Sequence, residues 1–302
     1  MSGGNNSRVV RIALTVVPVL LFFVVFLQQR IDVSAAPLQN QKPELVLRSG
    51  PMLKKLSLGY DPLLANIYWT RAVQYFGERV GVRGTTFELL GPLLDITTTL
   101  DPQLMVAYRF GAIFLAEPAP AGAGRPDLAV DLVKKGIAAN PEQWRLYGDL
   151  GLIYSIHLKN YQKAAEAYLE GSKNPNAQIY MKAMAATVAQ KGDSLETSKL
   201  IWGEVYGSTQ DPLIKKRAMQ HLESLDAEID LKGLNKSSES YWAKFGRYPA
   251  TIQELRDAGL VQGKLEDPEG YPYAMGPYGV PQLNPQSPIL MEPDQKLPQH
   301  NQ

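Results

Sequence analysis

The chain has 302 residues, a formal net charge of +1 and no cysteine. A near-neutral charge gives no general attraction to nucleic acid, and the lack of cysteine excludes disulfides, thiolate metal sites and cysteine nucleophiles. Because its three histidines lie far apart in sequence, we expect no histidine-rich metal or haem site within the chain.

The first apolar segment predicts a membrane anchor. Residues 9–27 are apolar apart from Arg11, and as a helix they would span about 28 Å, close to the roughly 30 Å hydrocarbon core of a bilayer. Arg8 and Arg11 precede the segment, so the positive-inside rule places the N-terminus in the cytoplasm. We therefore expect residues 1–30 to form a single-pass anchor in a bacterial cytoplasmic membrane, with the bulk of the chain in the periplasm.

A cleaved signal peptide is the alternative interpretation of this segment. Val33-Ser34-Ala35 offers small residues at positions suited to cleavage. Against cleavage, the apolar segment is longer than the usual signal core, and the polar residues 28–32 separate it from this site. We expect the anchor to be retained, and we interpret residues 31–50 as a tether.

A dipeptide of Asp or Asn followed by proline recurs through the middle of the chain. It occurs at Asp61-Pro62, Asp101-Pro102, Asn140-Pro141, Asn174-Pro175 and Asp211-Pro212. The successive prolines are 40, 39, 34 and 37 residues apart, a period typical of helical repeats. Asp or Asn can cap the helix that follows, and proline fits its first turn.

Between these dipeptides, small and large apolar residues follow the spacing of helices. The clearest unit contains Tyr147, Leu150, Gly151 and Tyr154 in its first helix and Ala164, Tyr168 and Gly171 in its second. This pattern resembles the tetratricopeptide repeat (TPR), a helix-turn-helix unit that closes on proline. The preceding unit, 103–141, matches too, except for an insertion at 117–125 between its helices. The resemblance implies an all-α, TPR-like solenoid over residues 51–230.

The resemblance also implies a site for a partner protein. In TPR proteins the first helices line a concave groove that holds an extended peptide or a partner helix. On this chain the groove-facing candidates are Tyr108, Arg145, Leu152, Ser155 and Lys182. Solvated surface is the other interpretation of each candidate, and we assign the aromatic residues of the repeat pattern to core packing.

The pattern changes after the repeats. Residues 241–249 and 267–273 run from a helix through Gly-Arg-Tyr-Pro to Asp-Pro-Glu-Gly-Tyr-Pro-Tyr. This order resembles the soluble end of type II secretion pseudopilins and implies a small α+β module at residues 231–280. The pseudopilin glutamate near the start of the apolar segment is missing from residues 9–27, so we do not expect pilin-like polymerisation. Residues 281–302 are predicted to be a disordered, proline-rich tail.

The chain contains no phosphate-binding glycine loop, HExxH motif or nucleophile elbow, so we expect no enzyme activity, cofactor or small-molecule substrate. The sequence favours a membrane-anchored scaffold that binds other proteins in an envelope assembly, such as type II secretion or type IV pilus biogenesis. The alternatives are a stable accessory subunit of a respiratory or transport complex and a pilin-like fibre component.

Overall fold

The computed structural model describes Phe26 and residues 49–289, and the chain divides into two compact units, Met1–Ser49 and Gly50–Gln302. The predicted anchor and tether, residues 1–30 and 31–50, lie outside the described residues except for Phe26, Ser49 and Gly50. Among the residues that are described, no helix combines the length and the apolar character needed to cross a bilayer.

The described part of the second unit is predominantly helical, as the sequence predicts. Its α-helices are α1 (Gly50–Leu56), α2 (Asp61–Gly77), α3 (Leu90–Leu100), α4 (Met105–Ala116), α5 (Pro126–Ala139), α6 (Trp144–Leu152), α7 (Tyr161–Ser172), α8 (Tyr180–Lys191), α9 (Leu195–Ser208), α10 (Pro212–Phe245) and α11 (Ile252–Asp257). Helix α6 continues directly into a π-helical turn, Ile153–His157. Two short strands, β1 (Ala274–Met275) and β2 (Pro281–Gln282), form an antiparallel pair.

Consecutive helices pack as pairs, α2 with α3, α4 with α5, α6 with α7, and α8 with α9, and each pair contacts the next. This arrangement fits a helical solenoid, and we call residues 61–208 the repeat array. The insertion at 117–125 lies between α4 and α5, as predicted.

Glycines at the helix crossings bring the paired helices close together. Gly136 packs against the ring of Tyr108, where an added Cβ atom would lie 2.8 Å from a ring carbon, and Gly151 packs against the ring of Tyr168. A Cβ atom added at Gly151 would lie 2.6 Å from a ring carbon of Tyr168, a distance that real Cβ atoms do not reach. The predicted alternation of small and large residues at the crossings is therefore confirmed at these pairs.

The Asn-Pro dipeptides link neighbouring repeats and do not cap the next helix. The side-chain amide of Asn140 donates a hydrogen bond to the carbonyl of Pro102 at 2.7 Å, and that of Asn174 donates to the carbonyl of Glu142 at 2.7 Å. Only Asp211, among the five Asp or Asn residues, caps a helix as predicted, because its carboxylate accepts from the backbone N–H groups of Leu213 and Ile214 at the start of α10.

Helix α10 has 34 residues and runs through the domain boundary predicted between residues 230 and 231. Its second half carries the C-terminal module, residues 231–289. The core of that module consists of Leu231, Leu234, Tyr241, Ile252, Leu255 and Tyr273. Thr251 caps α11 and Asp267–Gly270 form a turn, as predicted.

The disordered tail predicted from residue 281 is wrong for residues 281–289. Strand β2 pairs with β1, and Leu283 packs against the module core. The hydroxyl of Ser287 donates to the buried carboxylate of Asp267. Proline-rich composition indicated disorder, but these contacts hold the segment on the module. Residues 290–302 lie outside the described part of the chain.

Candidate partner-binding groove

A cavity of about 260 Å³ opens on the face shared by α4, α6 and α8, the first helices of three consecutive pairs. The residues that line it are Arg109, Arg145, Gly148, Asp149, Leu152, Tyr168, Tyr180 and Met184. We call this cavity the groove. It combines two cations, one anion and an apolar floor, so its lining carries a net positive charge.

An ion pair joins two repeats at the edge of the groove. Nε of Arg109 on α4 lies 2.7 Å from Oδ2 of Asp149 on α6, and Nη2 lies 3.4 Å from Oδ1. The hydrogen bond to Asp149 raises the pKa of Arg109 above its ordinary value. Both side chains stay partly exposed to solvent, so the pair adds little stability and serves to orient the two charges.

Arg145 is the second cation of the groove. Its guanidinium carbon lies 4.6 Å from the centre of the Trp144 ring, and no described carboxylate forms a salt bridge with it. Trp144 is buried and makes an edge-to-face contact with the half-exposed ring of Tyr180, at 5.7 Å between centroids. The tryptophan therefore positions a cation at the groove surface that remains available for an incoming anion.

The floor of the groove is apolar and shallow at Gly148. A Cβ atom at Gly148 would lie 3.4 Å from the sulfur of the buried Met181, an ordinary van der Waals contact, so a methyl group is tolerated at this residue. Leu152 and Met184 also line the groove, and the buried Tyr168 completes its apolar part. Burial raises the pKa of Tyr168 to about 12, against a smaller opposite effect of its hydrogen bond with Ser155.

Two of the five predicted groove residues, Arg145 and Leu152, line the cavity. Tyr108 does not: it is fully buried, its ring packs on Gly136, and burial raises its pKa to about 12. The prediction is wrong there because α4 buries Ala107, Tyr108, Gly111 and Ala112 and leaves Phe110 exposed. The helix is therefore rotated relative to the predicted pattern.

The other two candidates also lie outside the groove lining. Ser155 is buried in the π-helical turn, where its hydroxyl donates to the carbonyl of Leu152 at 3.1 Å. The ammonium of Lys182 lies 2.9 Å from the carboxylate of Glu204 on α9, so it pairs within its own helical pair. Lys182 lies on the first helix α8, and Ser155 lies in the turn that continues α6, but both side chains bond to neighbouring groups.

Sequence reasoning assigned Tyr168 to core packing and missed the lining residues Arg109, Asp149, Gly148, Tyr180 and Met184. One signal was available for the first two, because Arg109 and Asp149 are 40 residues apart, which equals one spacing of the proline repeat. Opposite charges one repeat apart on first helices predict an ion pair along the groove. No comparable signal in the sequence marks Tyr180 and Met184.

A second cavity, of about 460 Å³, lies between α9 and α10 and is more open to solvent. It does not extend along successive first helices. Lys215 lies over the ring of Tyr206 in its wall. In the part of the chain that the structure describes, no group of three or more His, Asp or Glu side chains is placed to hold a metal ion.

The chain matches no protein-family model, and no curated protein is significantly similar to it. The class of protein is therefore defined here by the fold and the groove alone: a predominantly helical chain of stacked helix pairs with a charged, partly apolar groove on its first helices.

Proposed function

We propose that this protein is a membrane-anchored scaffold whose TPR-like repeats bind partner proteins in the bacterial periplasm. The assembly it serves is an envelope machine such as type II secretion or type IV pilus biogenesis. The groove supports this proposal most directly, because it offers an oriented cation, Arg145, above an apolar floor of Leu152 and Met184.

The chemistry of the groove selects the kind of segment that binds there. A carboxylate side chain pairs with Arg145, since the nearby Asp149 is already engaged by Arg109. An apolar side chain of the same partner segment covers Leu152 and Met184, next to the exposed edge of Tyr180. The groove therefore fits an extended segment or helix with one acidic and one apolar side chain on the same face.

The anchor and the C-terminal module set the proposed location. Residues 1–30 tether the scaffold to the cytoplasmic membrane, and the pseudopilin-like order of residues 241–273 relates it to envelope machines. The module takes part by docking, because the chain lacks the acid that pilin-like subunits use for assembly.

The test is capture of partners from the native membrane in mild detergent, followed by mass spectrometry. The full chain is compared with Arg145→Glu and with the charge-matched control Lys134→Glu, an exposed lysine on α5 outside the groove lining. We expect Arg145→Glu to reduce the captured partners about tenfold or more, because hydrogen bonds to charged groups contribute about 1.5–3 kcal/mol. The control should capture as much as the unmodified chain.

A second variant, Gly148→Leu, adds a bulky side chain to a residue that lines the groove, without a clash at Cβ, and should have the same effect as Arg145→Glu. Secretion or pilus-assembly proteins among the captured partners support the proposal. A stoichiometric set of respiratory or transport subunits that both groove variants retain supports the accessory subunit instead, since the repeats would then be a permanent interface outside the groove.

A further inference from the structure

The corner between α1 and α2 exposes an unusual concentration of large apolar side chains. We call this surface the α1–α2 corner; it consists of Leu56, Leu58, Tyr60, Leu63 and Ile67. The side chain of Leu58 is 88% exposed, and that of Tyr60 is 67% exposed. Water-exposed apolar groups at this density indicate a surface that another phase or molecule covers.

The corner is a fixed structure. The amide of Tyr60 donates to the carbonyl of Ser57 at 2.9 Å, and the single hydroxyl hydrogen of Ser57 is shared between two acceptors, the carbonyl of Lys54 and the carboxylate of Asp61. These bonds hold the end of α1 against the start of α2, while Leu53 and Ala65 bury the opposite sides of the two helices. The exposed side chains at the tip are therefore presented together.

The tip itself is strained. Leu58 has φ of +50°, in the left-handed region that side chains other than glycine rarely adopt, and Gly59 follows with φ of +92°. Glycine or asparagine would fit Leu58's conformation with less strain and no apolar exposure. A leucine that is both strained and almost fully exposed gains nothing from packing within the described fold, which indicates a role outside it.

The chemistry of the corner fits a lipid surface. The exposed Lys55 lies on α1 beside the apolar tip, an arrangement that suits anionic headgroups next to acyl chains, whereas the ammonium of Lys54 donates to the carbonyl of Thr99 at 3.4 Å. Tyrosine, here Tyr60, is enriched at the interface between lipid and water. The predicted tether of residues 31–50 spans at most about 70 Å when fully extended, and this length allows the corner to reach the bilayer.

We propose that the α1–α2 corner docks on the membrane surface, with Leu56, Leu58 and Tyr60 entering the headgroup region and Lys55 contacting anionic lipid. This inference rests on the proposed function, since the anchor supplies the nearby bilayer. Docking holds the start of the repeat array at the membrane surface and so limits the distance between the bilayer and the groove.

The experiment uses the full chain, whose lack of cysteine allows one labelled site at a time. Leu58→Cys carries an NBD fluorophore, and the protein is reconstituted into vesicles of phosphatidylethanolamine and phosphatidylglycerol, with or without doxyl-labelled lipid as a quencher. The matched control is Leu200→Cys, a 73% exposed leucine on α9. We expect blue-shifted emission and several-fold stronger lipid quenching at position 58 than at position 200.

Each outcome decides the proposal. Equal lipid quenching at positions 58 and 200 overturns it. A label at position 58 that is shielded from aqueous iodide but not quenched by lipid also overturns it, because protein then covers the corner. If alkaline carbonate extracts the chain from the vesicles, the chain has no membrane-spanning anchor. That result overturns both the proposed function and this inference. Retention in carbonate with an aqueous label at 58 overturns the inference alone. Lys55→Glu should lower the quenching in phosphatidylglycerol vesicles and leave it unchanged in pure phosphatidylcholine.

Discussion

The repeat array and the C-terminal module are stabilised by different kinds of contact. In the array, polar contacts recur at about one repeat: Arg109 with Asp149, Lys135 with Asp95, and Asn140 with Pro102. In the module, short irregular segments pack on the second half of α10. There the buried Leu255 and Tyr273 come from separate segments, and the hydroxyl of Tyr273 donates to Asp230 at 2.9 Å.

This difference predicts which part of the chain loses stability when a buried residue is substituted. A stack of helix pairs is stabilised by intrinsic pair stability and nearest-neighbour interfaces, so its parts can open separately. The module has one small core and no neighbour-to-neighbour redundancy, so we expect it to open as a unit. The predictions below are ordered from the largest expected effect to the smallest.

The strongest test removes one buried leucine from each region. Leu255→Ala in the module and Leu146→Ala in the array delete side chains with no exposed surface, and each should cost about 2–5 kcal/mol. In hydrogen exchange monitored by mass spectrometry, we expect Leu255→Ala to lower protection in residues 246–289 and to leave α4–α7 unchanged. Leu146→Ala should do the reverse. If Leu255→Ala lowers protection in α4–α7 equally, the two regions form one cooperative unit and the comparison fails.

A pair of glycines three residues apart tests close packing within the array. Gly151→Ala places Cβ 2.6 Å from the ring of Tyr168 and should lower the free energy of unfolding by about 1–3 kcal/mol. Gly148→Ala meets only an ordinary contact with Met181 and should raise it by about 0.5–1 kcal/mol, because alanine favours a helix. Urea denaturation measures both, and a similar effect of the two substitutions would contradict the tight crossing at Gly151.

The link between repeats made by Asn140 predicts a smaller effect. Asn140→Ala removes the 2.7 Å hydrogen bond to the carbonyl of Pro102 and should cost about 1 kcal/mol, measured by thermal and urea unfolding. The control is Asn176→Ala, at an exposed asparagine whose change should stay within about 0.5 kcal/mol. Equal stability of the two variants would mean that the dipeptide asparagine does not couple the repeats.

The smallest effect concerns pH and the module. The guanidinium of Arg247, and secondarily the hydroxyl of Tyr241, lower the pKa of Glu254 below its ordinary value. A carboxyl with a lowered folded-state pKa stabilises the fold above its unfolded pKa of about 4.3, and this contribution is lost as the pH falls through the folded value. Glu254→Gln should therefore weaken the loss of module stability on acidification below about pH 5.

Hydrogen exchange in residues 246–289 as a function of pH measures this effect. Glu166→Gln, at an exposed glutamate of the array that forms no salt bridge with any described residue, should leave the pH dependence unchanged. If both variants titrate like the unmodified chain, the ion pair of Arg247 with Glu254 does not contribute to the module.

The sequence by itself determined the helices of the array, their period, the insertion at 117–125, and local features of the module such as the Thr251 cap and the turn at 267–270. These depend on residues within about one or two helical turns of each other, so spacing and turn chemistry suffice to predict them.

Only the tertiary structure decided which face of each helix is buried and what its polar residues contact. An apolar stripe about 100° wide is compatible with more than one rotation of a helix, so neighbours 20–40 residues away select Tyr108 for the core and leave Phe110 exposed. Contacts with equally distant residues pair Asp149 with Arg109 and leave Arg145 without a salt bridge to a described carboxylate. They also explain why the dipeptide asparagines, expected to cap helices, instead form hydrogen bonds between repeats.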